Sequence, residues 1–309
     1  MKMAHFKWLI LLFCFTTSYA QNQDGDTGKR LSGAVNSDAE ELLPLIHPDG
    51  NRLYFSRIFH ENNYGGKYGG SDIWVSKINA TGGFEEAVKL EKPINNNDNN
   101  FIVGFSADGK RMYLNNTYKN SNKYAVAVAE LVEGNWSKPT PITLELPSYT
   151  GPIGMYMHPN EKILLISMNA EDSYGKEDLY VMTKDSSGLW SEPQNLGATI
   201  NTSGFEISPF LSEDGKTLYF ASEGHISADI FKAEKKFNVW NVWEKKKNLN
   251  ISLDDNLFKA YYFHYQDKLY YAKSAGKYLD IYQANINNQL DSATVKIQKL
   301  VEEAKKLIK

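Results

Sequence analysis

Cysteine is almost absent from this 309-residue chain. The one present, Cys14, lies in an N-terminal apolar run, so the body of the protein has neither disulfides nor thiolate metal ligands to draw on. The six histidines fall at no metal-like spacing, which excludes a zinc site by pattern. No Ser-His-Asp arrangement, Gly-rich phosphate loop or dinucleotide fingerprint is present, and no cofactor is expected. Charge of one sign is also scarce. The formal net charge is −3, and the densest basic run, Lys245-Lys-Lys247, directly follows Glu244, so nothing marks a nucleic-acid surface.

Long apolar runs are missing except near the start. Trp8-Leu-Ile-Leu-Leu-Phe-Cys-Phe15 is too short to span a bilayer, is preceded by Lys2 and Lys7, and is followed by the small residues of Ser18-Tyr-Ala20. Residues 1–20 therefore read as a signal peptide cut before Gln21. Phe13 before Cys14 argues against lipidation, since a lipoprotein signal has a small residue there. The mature chain is expected in the periplasm or outside the cell, with no transmembrane anchor.

What the sequence does contain is a repeat. Glu206-Ile-Ser-Pro-Phe-Leu-Ser-Glu-Asp-Gly-Lys-Thr-Leu-Tyr-Phe220 is followed by Asp229-Ile-Phe231, then by Trp243 with Leu249 six residues on. An earlier copy reads Glu41-Leu-Leu-Pro-Leu-Ile-His-Pro-Asp-Gly-Asn-Arg-Leu-Tyr-Phe55, then Asp72-Ile-Trp74, then Phe84 with Leu90. Turns begin at Asp49, Asp108, Asn160, Asp214 and Gln266, at intervals of 59, 52, 54 and 52 residues. That is the period of a four-stranded propeller blade. Asp-Gly favours tight hairpins, and alternating apolar residues flank it. The fold class expected is an all-β, five-bladed β-propeller of four-stranded antiparallel blades, over residues 28–290, after a tail at 21–27.

Blade five lacks a Trp-led fourth strand. Leu31-Ser-Gly-Ala-Val-Asn-Ser37 has the spacing of Leu90-Glu-Lys-Pro-Ile-Asn95 and Leu196-Gly-Ala-Thr-Ile-Asn-Thr202, which end other blades. An N-terminal strand around Lys29 to Leu31 is therefore expected to complete blade five and leave no raw sheet edge. Over 291–309, Ile297, Leu300, Val301, Ala304, Leu307 and Ile308 recur at helical spacing behind a capping Asp291-Ser292, so the chain should end in an amphipathic helix.

These patterns resemble the TolB-like, WD-type propeller repeats common in exported bacterial proteins, over about residues 36–286. The resemblance implies the scaffold and leaves the function to the site. Asp72, Asp178, Asp229 and Asp280 open third strands and recur by period, so they are expected to accept hydrogen bonds from the loop before them. Trp136, Trp190 and Trp243 recur likewise and should pack between blades.

Departures from the period mark the candidate ligand-binding face. Blade one inserts Glu61-Asn-Asn-Tyr-Gly-Gly-Lys-Tyr-Gly-Gly70 between its second and third strands, and Asn95-Asn-Asn-Asp-Asn-Asn100 leads into blade two. Tyr64 and Tyr68 offer stacking surface there, and Asn97 and Asp98 offer hydrogen bonds. Tyr118, Glu171, Asp172, Tyr174 and His225 lie in the matching loops of later blades. Glu41 and Glu206 start two inner strands near the channel mouth; they are expected to be hydrated rim carboxylates, with Glu206→Gln almost neutral for stability. A pair of carboxylates is also what glycoside hydrolysis requires. The expected function is non-enzymatic recognition of a protein or envelope component, with no catalytic residue assigned; the alternative is a carbohydrate-binding or glycoside-hydrolysing propeller.

Overall fold

The computed structural model describes residues 28–116, 126–223, 227–249, 251 and 257–286. The signal-peptide reading, the tail at 21–27, the C-terminal helix, Tyr118 and His225 fall outside them. Five antiparallel sheets make the ring, each with the order first, second, third and outer strand; blade two departs from the expected four strands in carrying two short outer pieces, Asn135–Trp136 and Thr140–Pro141, on its third strand. Blade one consists of Glu40–Ile46, Arg52–Ile58, Ser71–Lys77 and Val88–Lys89. Blade four repeats it with Glu206–Leu211, Thr217–Glu223, Ala228–Glu234 and Lys247–Asn248. Among the described residues no helix is long and apolar enough to cross a membrane.

The turn chemistry explains the hairpins. Gly50, Gly109 and Gly215 take φ of 74°, 69° and 70°, a region that glycine enters without a Cβ penalty. Asp108 and Asp214 each accept a serine hydroxyl and a backbone N–H across the turn. His47 and His158 reach the carbonyls of Gly109 and Ser212 in the next blade's turn, at 3.0 and 3.1 Å, so the turns also stitch neighbouring blades.

Every inner strand carries an irregularity at the same level, between Leu42 and Leu45, Ile102 and Gly104, Thr150 and Gly154, Ile207 and Phe210, and Ala260 and Phe263. An extra residue bends a strand and tightens its twist, which lets five strands converge on one axis. At Gly104 a Cβ would sit 2.4 Å from the Met157 carbonyl oxygen of blade three, so this approach admits only glycine. Aromatic contacts fill the seams: Tyr54 and Phe105 join blades one and two, and Tyr219 stacks on Tyr262 at 4.4 Å between blades four and five. Phe84 and Trp190 bridge to Ile78 and Lys184 at the hairpin into the outer strand, as does Trp243 to Lys235, while Trp136 pairs with Leu131. Trp243 is buried and Trp136 and Trp190 are partly so.

Blade five, Lys259–Tyr265, Lys268–Ser274 and Leu279–Asn285, takes its outer strand from Lys29–Arg30 at the other end of the chain. Lys29 faces Gln283, Arg30 faces Tyr282, and the Leu31 N–H donates to the Ile281 carbonyl at 3.0 Å. Asn36 then clasps the same third strand, accepting from Ile281 N–H at 2.8 Å and donating to the Ile281 and Leu31 carbonyls. Asn95 holds Ile73, and Asn201 holds Leu179, by the same bonds. The asparagine that ends each Leu-x-x-x-x-Asn segment is thus a side-chain substitute for a strand.

Candidate functional site

Inner strands begin, and second-to-third loops return, on one face of the ring. Just beneath that face lies a layer of buried charge. Glu41 is fully buried and accepts from Arg57 at 2.8 Å and from the Ser37 hydroxyl at 2.6 Å. Arg57 also donates to the Val35 carbonyl, and its guanidinium carbon lies 4.1 Å from the Trp74 ring centroid. Burial pushes the Glu41 carboxyl up and the Arg57 guanidinium down, and their mutual attraction opposes both shifts. Glu206, also fully buried, accepts from Thr202 N–H and hydroxyl, from the Ser222 hydroxyl at 2.7 Å and from Lys246 at 3.3 Å. The expectation that these two glutamates line a hydrated mouth is therefore corrected. Connectors from the preceding blade cover them; both oxygens of Glu206 are committed to internal partners, whereas Glu41 takes its bonds on Oε1 and its buried Oε2 accepts none.

The third-strand aspartates sit at the same level, near the seams. Asp72 accepts from Tyr64 N–H at 2.8 Å and from Asn100 of the next blade at 3.2 Å, and burial pushes its carboxyl up to about 6. Asp178 accepts from Tyr174 N–H and Asn195. Asp229 meets Asn248 and, across a seam, Lys259 at 3.2 Å. Asp280 takes a two-pronged ion pair from Arg30, both bonds at 2.7 Å.

Above this layer the blade-one insertion and the Asn-rich connector abut. Gly70, at φ 145°, packs so closely on Asp98 that a Cβ would lie 2.5 Å from its carbonyl oxygen. Ser71 and Asn100 exchange hydrogen bonds that pin the two loop ends together. Asn97 is exposed, whereas Asp98 is half-buried, its N–H held by Asn96 and its carbonyl by Asn100.

The two tyrosines diverge. Tyr64 turns toward the outer strand: its hydroxyl bonds Glu91, and Lys89 Nζ sits 3.8 Å from its ring centroid. Tyr68 is 85% exposed and leans toward blade five, where Phe59 lies 6.4 Å away by ring centroids and Phe59 in turn meets Tyr278 at 5.6 Å. Lys277 Nζ is 4.8 Å from the Tyr278 centroid. Phe59 holds φ at 60°, a strained value for a bulky residue. This aromatic patch, Phe59, Tyr68 and Tyr278 beside Lys277, is what the structure brings together. Phe59 and Tyr278 escaped the sequence reading because they belong to blades one and five, whose adjacency depends on ring closure. In blade three, Tyr174 is exposed, Asp172 accepts from the Tyr180 hydroxyl at 2.7 Å, and Glu171 is exposed.

Glu40 precedes this layer on the innermost strand of blade one. Burial, aided by Glu41, pushes its carboxyl up to about 7 from 4.5. A raised acid pKa in the folded state means that stability is fully present below pH ~4.5 and is lost as pH rises through about 7. The Glu40→Gln variant should therefore match the parent at low pH and exceed it by roughly 1–3 kcal/mol above neutrality, after allowance for solvent screening. Urea unfolding between pH 4 and 8 checks this; a gap independent of pH contradicts it.

These features define the chain as a five-bladed, all-β propeller with an aromatic connector face. No family model matches it, and no curated protein matches it. Among solved structures it is similar to TolB from Acinetobacter baumannii, with 15% identity over 82% of this chain and a TM-score of 0.46. The chain spans 56% of the length of that TolB structure. It is also similar to a structure described as a glycoside hydrolase, with 11% identity, TM-score 0.52, and coverage of 85% of this chain and 91% of that one. A glycosyl hydrolase from Bacteroides ovatus matches with 10% identity, TM-score 0.49, and coverage of 80% and 84%. At such identities the likeness is one of fold.

Proposed function

We propose that this protein is an exported, non-enzymatic recognition propeller that binds a protein or another component of the cell envelope through its connector face. The observation that carries the reading is the patch formed by Phe59, Tyr68 and Tyr278, with Tyr68 85% exposed. Exposed aromatics on a fixed scaffold are the side chains that dominate interface energetics. Phe59 directly follows the second strand of blade one, and ring closure brings Tyr278 of blade five alongside it. Export rests on the pattern of residues 1–20 and places the protein in the periplasm or outside the cell.

Glycoside hydrolysis is the second reading, favoured by the description of the structure matched at TM-score 0.52. The burial of Glu41 and Glu206 counts against it, because an acid and a nucleophile must both touch the scissile bond. The test is capture of a partner from the native envelope, followed by affinity measurement with purified components. Tyr68→Ala combined with Tyr278→Ala should weaken binding about tenfold with little change in melting temperature, and Tyr64→Ala much less. Undiminished binding by the double variant would place the contact elsewhere, and release of sugar from envelope glycans would overturn the non-enzymatic reading.

A further inference from the structure

The face opposite the connectors carries a feature that the repeat does not need. Where blades one, two and four place a left-handed glycine at the inner hairpin, blade five places Gln266 at φ 55° and blade three places Glu161 at φ 60°. A residue with a Cβ costs roughly 1–2 kcal/mol there, and such strain persists where surrounding contacts over-determine it. The contacts are visible. The Glu161 carboxylate crosses the seam to accept from Arg111 Nε at 2.5 Å, from Arg111 Nη2 and from the Tyr113 hydroxyl, all of blade two. Beside this network opens a cleft of about 490 Å³ that Ile142 and Trp190 line with apolar surface. Lys184 Nζ stands 4.7 Å from the Trp190 ring centroid.

We propose that this cleft binds a pyranose ring carrying a carboxylate, the chemistry of a hexuronate. It is an open groove of small-ligand volume, partly apolar with a few fixed polar groups. An indole offers a flat apolar surface to the C–H face of a sugar ring. Arg111 and Glu161, held at the rim by each other, present donors and an acceptor to ring hydroxyls. Charge selects the acid: Glu161 offsets Arg111 among the lining side chains, which leaves the charge of Lys184 to meet an anion. The site lies on the other face from the aromatic patch and stands independently of the function proposed for it.

The experiment is calorimetric titration of the mature chain with tri-galacturonate, a neutral galactose trisaccharide and tri-glutamate. Tri-galacturonate should saturate in the millimolar range or tighter, with the neutral sugar about tenfold weaker. Trp190→Ala should weaken binding about tenfold, and Lys184→Ala should abolish the preference for the acid. Glu161→Gly is the decisive variant. It restores the residue that three sister blades use at this turn, so the fold is kept while the rim acceptor is lost and Arg111 loses its counter-charge; binding of the neutral sugar should fall about tenfold and the preference for the acid should widen. No saturation by ~10 mM, tri-galacturonate binding by Trp190→Ala as tight as the parent's, neutral-sugar binding by Glu161→Gly as tight as the parent's, or tighter binding of tri-glutamate than of either sugar would overturn the proposal.

Discussion

Removal of residues 21–36 should abolish cooperative unfolding or drive the protein to aggregate, the largest effect expected of any change considered. The deletion strips the Lys29–Arg30 ladder from blade five, the Leu31 N–H bond to Ile281 and the Arg30 ion pair to Asp280. It also exposes the apolar surface that Leu31 and Val35 cover and leaves the third strand of blade five as a raw edge. Asn36→Ala is the point version. It removes the clasp on Ile281 and strands that residue's buried N–H, while the Ile281 carbonyl keeps the Leu31 N–H, at a cost of roughly 1–3 kcal/mol. Asn95→Ala breaks the matching clasp on Ile73, but inside a continuous chain, so it should lower stability comparably while unfolding stays cooperative. Differential scanning calorimetry distinguishes the cases. Equal midpoints and widths for the shortened and intact proteins would refute closure by this segment.

Arg57→Ala should destabilise the fold by roughly 3–5 kcal/mol, because it leaves Glu41 fully buried without its cation. The double change Glu41→Leu with Arg57→Leu should recover much of that loss, since apolar packing can replace a buried pair. Glu206→Gln tests the same physics in blade four. The sequence reading expects it to be nearly neutral, whereas the bond to Lys246 and the contacts to Thr202 and Ser222 imply a loss of roughly 1–3 kcal/mol. Chemical denaturation of the three variants beside the parent gives the measurement, and a double variant as unstable as Arg57→Ala alone would contradict the argument.

The outcome at Glu41 and Glu206 shows where one-dimensional reading stops. Their equivalence was legible, because both precede the same Asp-Gly hairpin by the same count. Their burial was not, because the cations that meet them have different origins, Arg57 on the adjacent strand for Glu41 and Lys246, 40 residues further on, for Glu206. Tyr64 and Tyr68 teach the same lesson. Four residues apart on one Gly-rich loop, they face different blades because Lys89 and Glu91 hold one while Phe59 lies beside the other.

Legible from the residues alone were the five blades, the hairpins at Asp49, Asp108 and Asp214, the order of strands and the origin of the fifth outer strand. Those features are local: two-residue alternation, turn residues that tolerate positive φ, and a repeated segment ending in asparagine all act over a few residues. It took the closed ring to show which polar groups are sealed beneath the connector face, that Phe59 and Tyr278 complete a patch with Tyr68, and that Glu161 reaches Arg111 across a seam. The patch and the Glu161 contact depend on residues from different blades, whose spacing along the chain follows no period, and burial is set by what comes to lie on top of a residue.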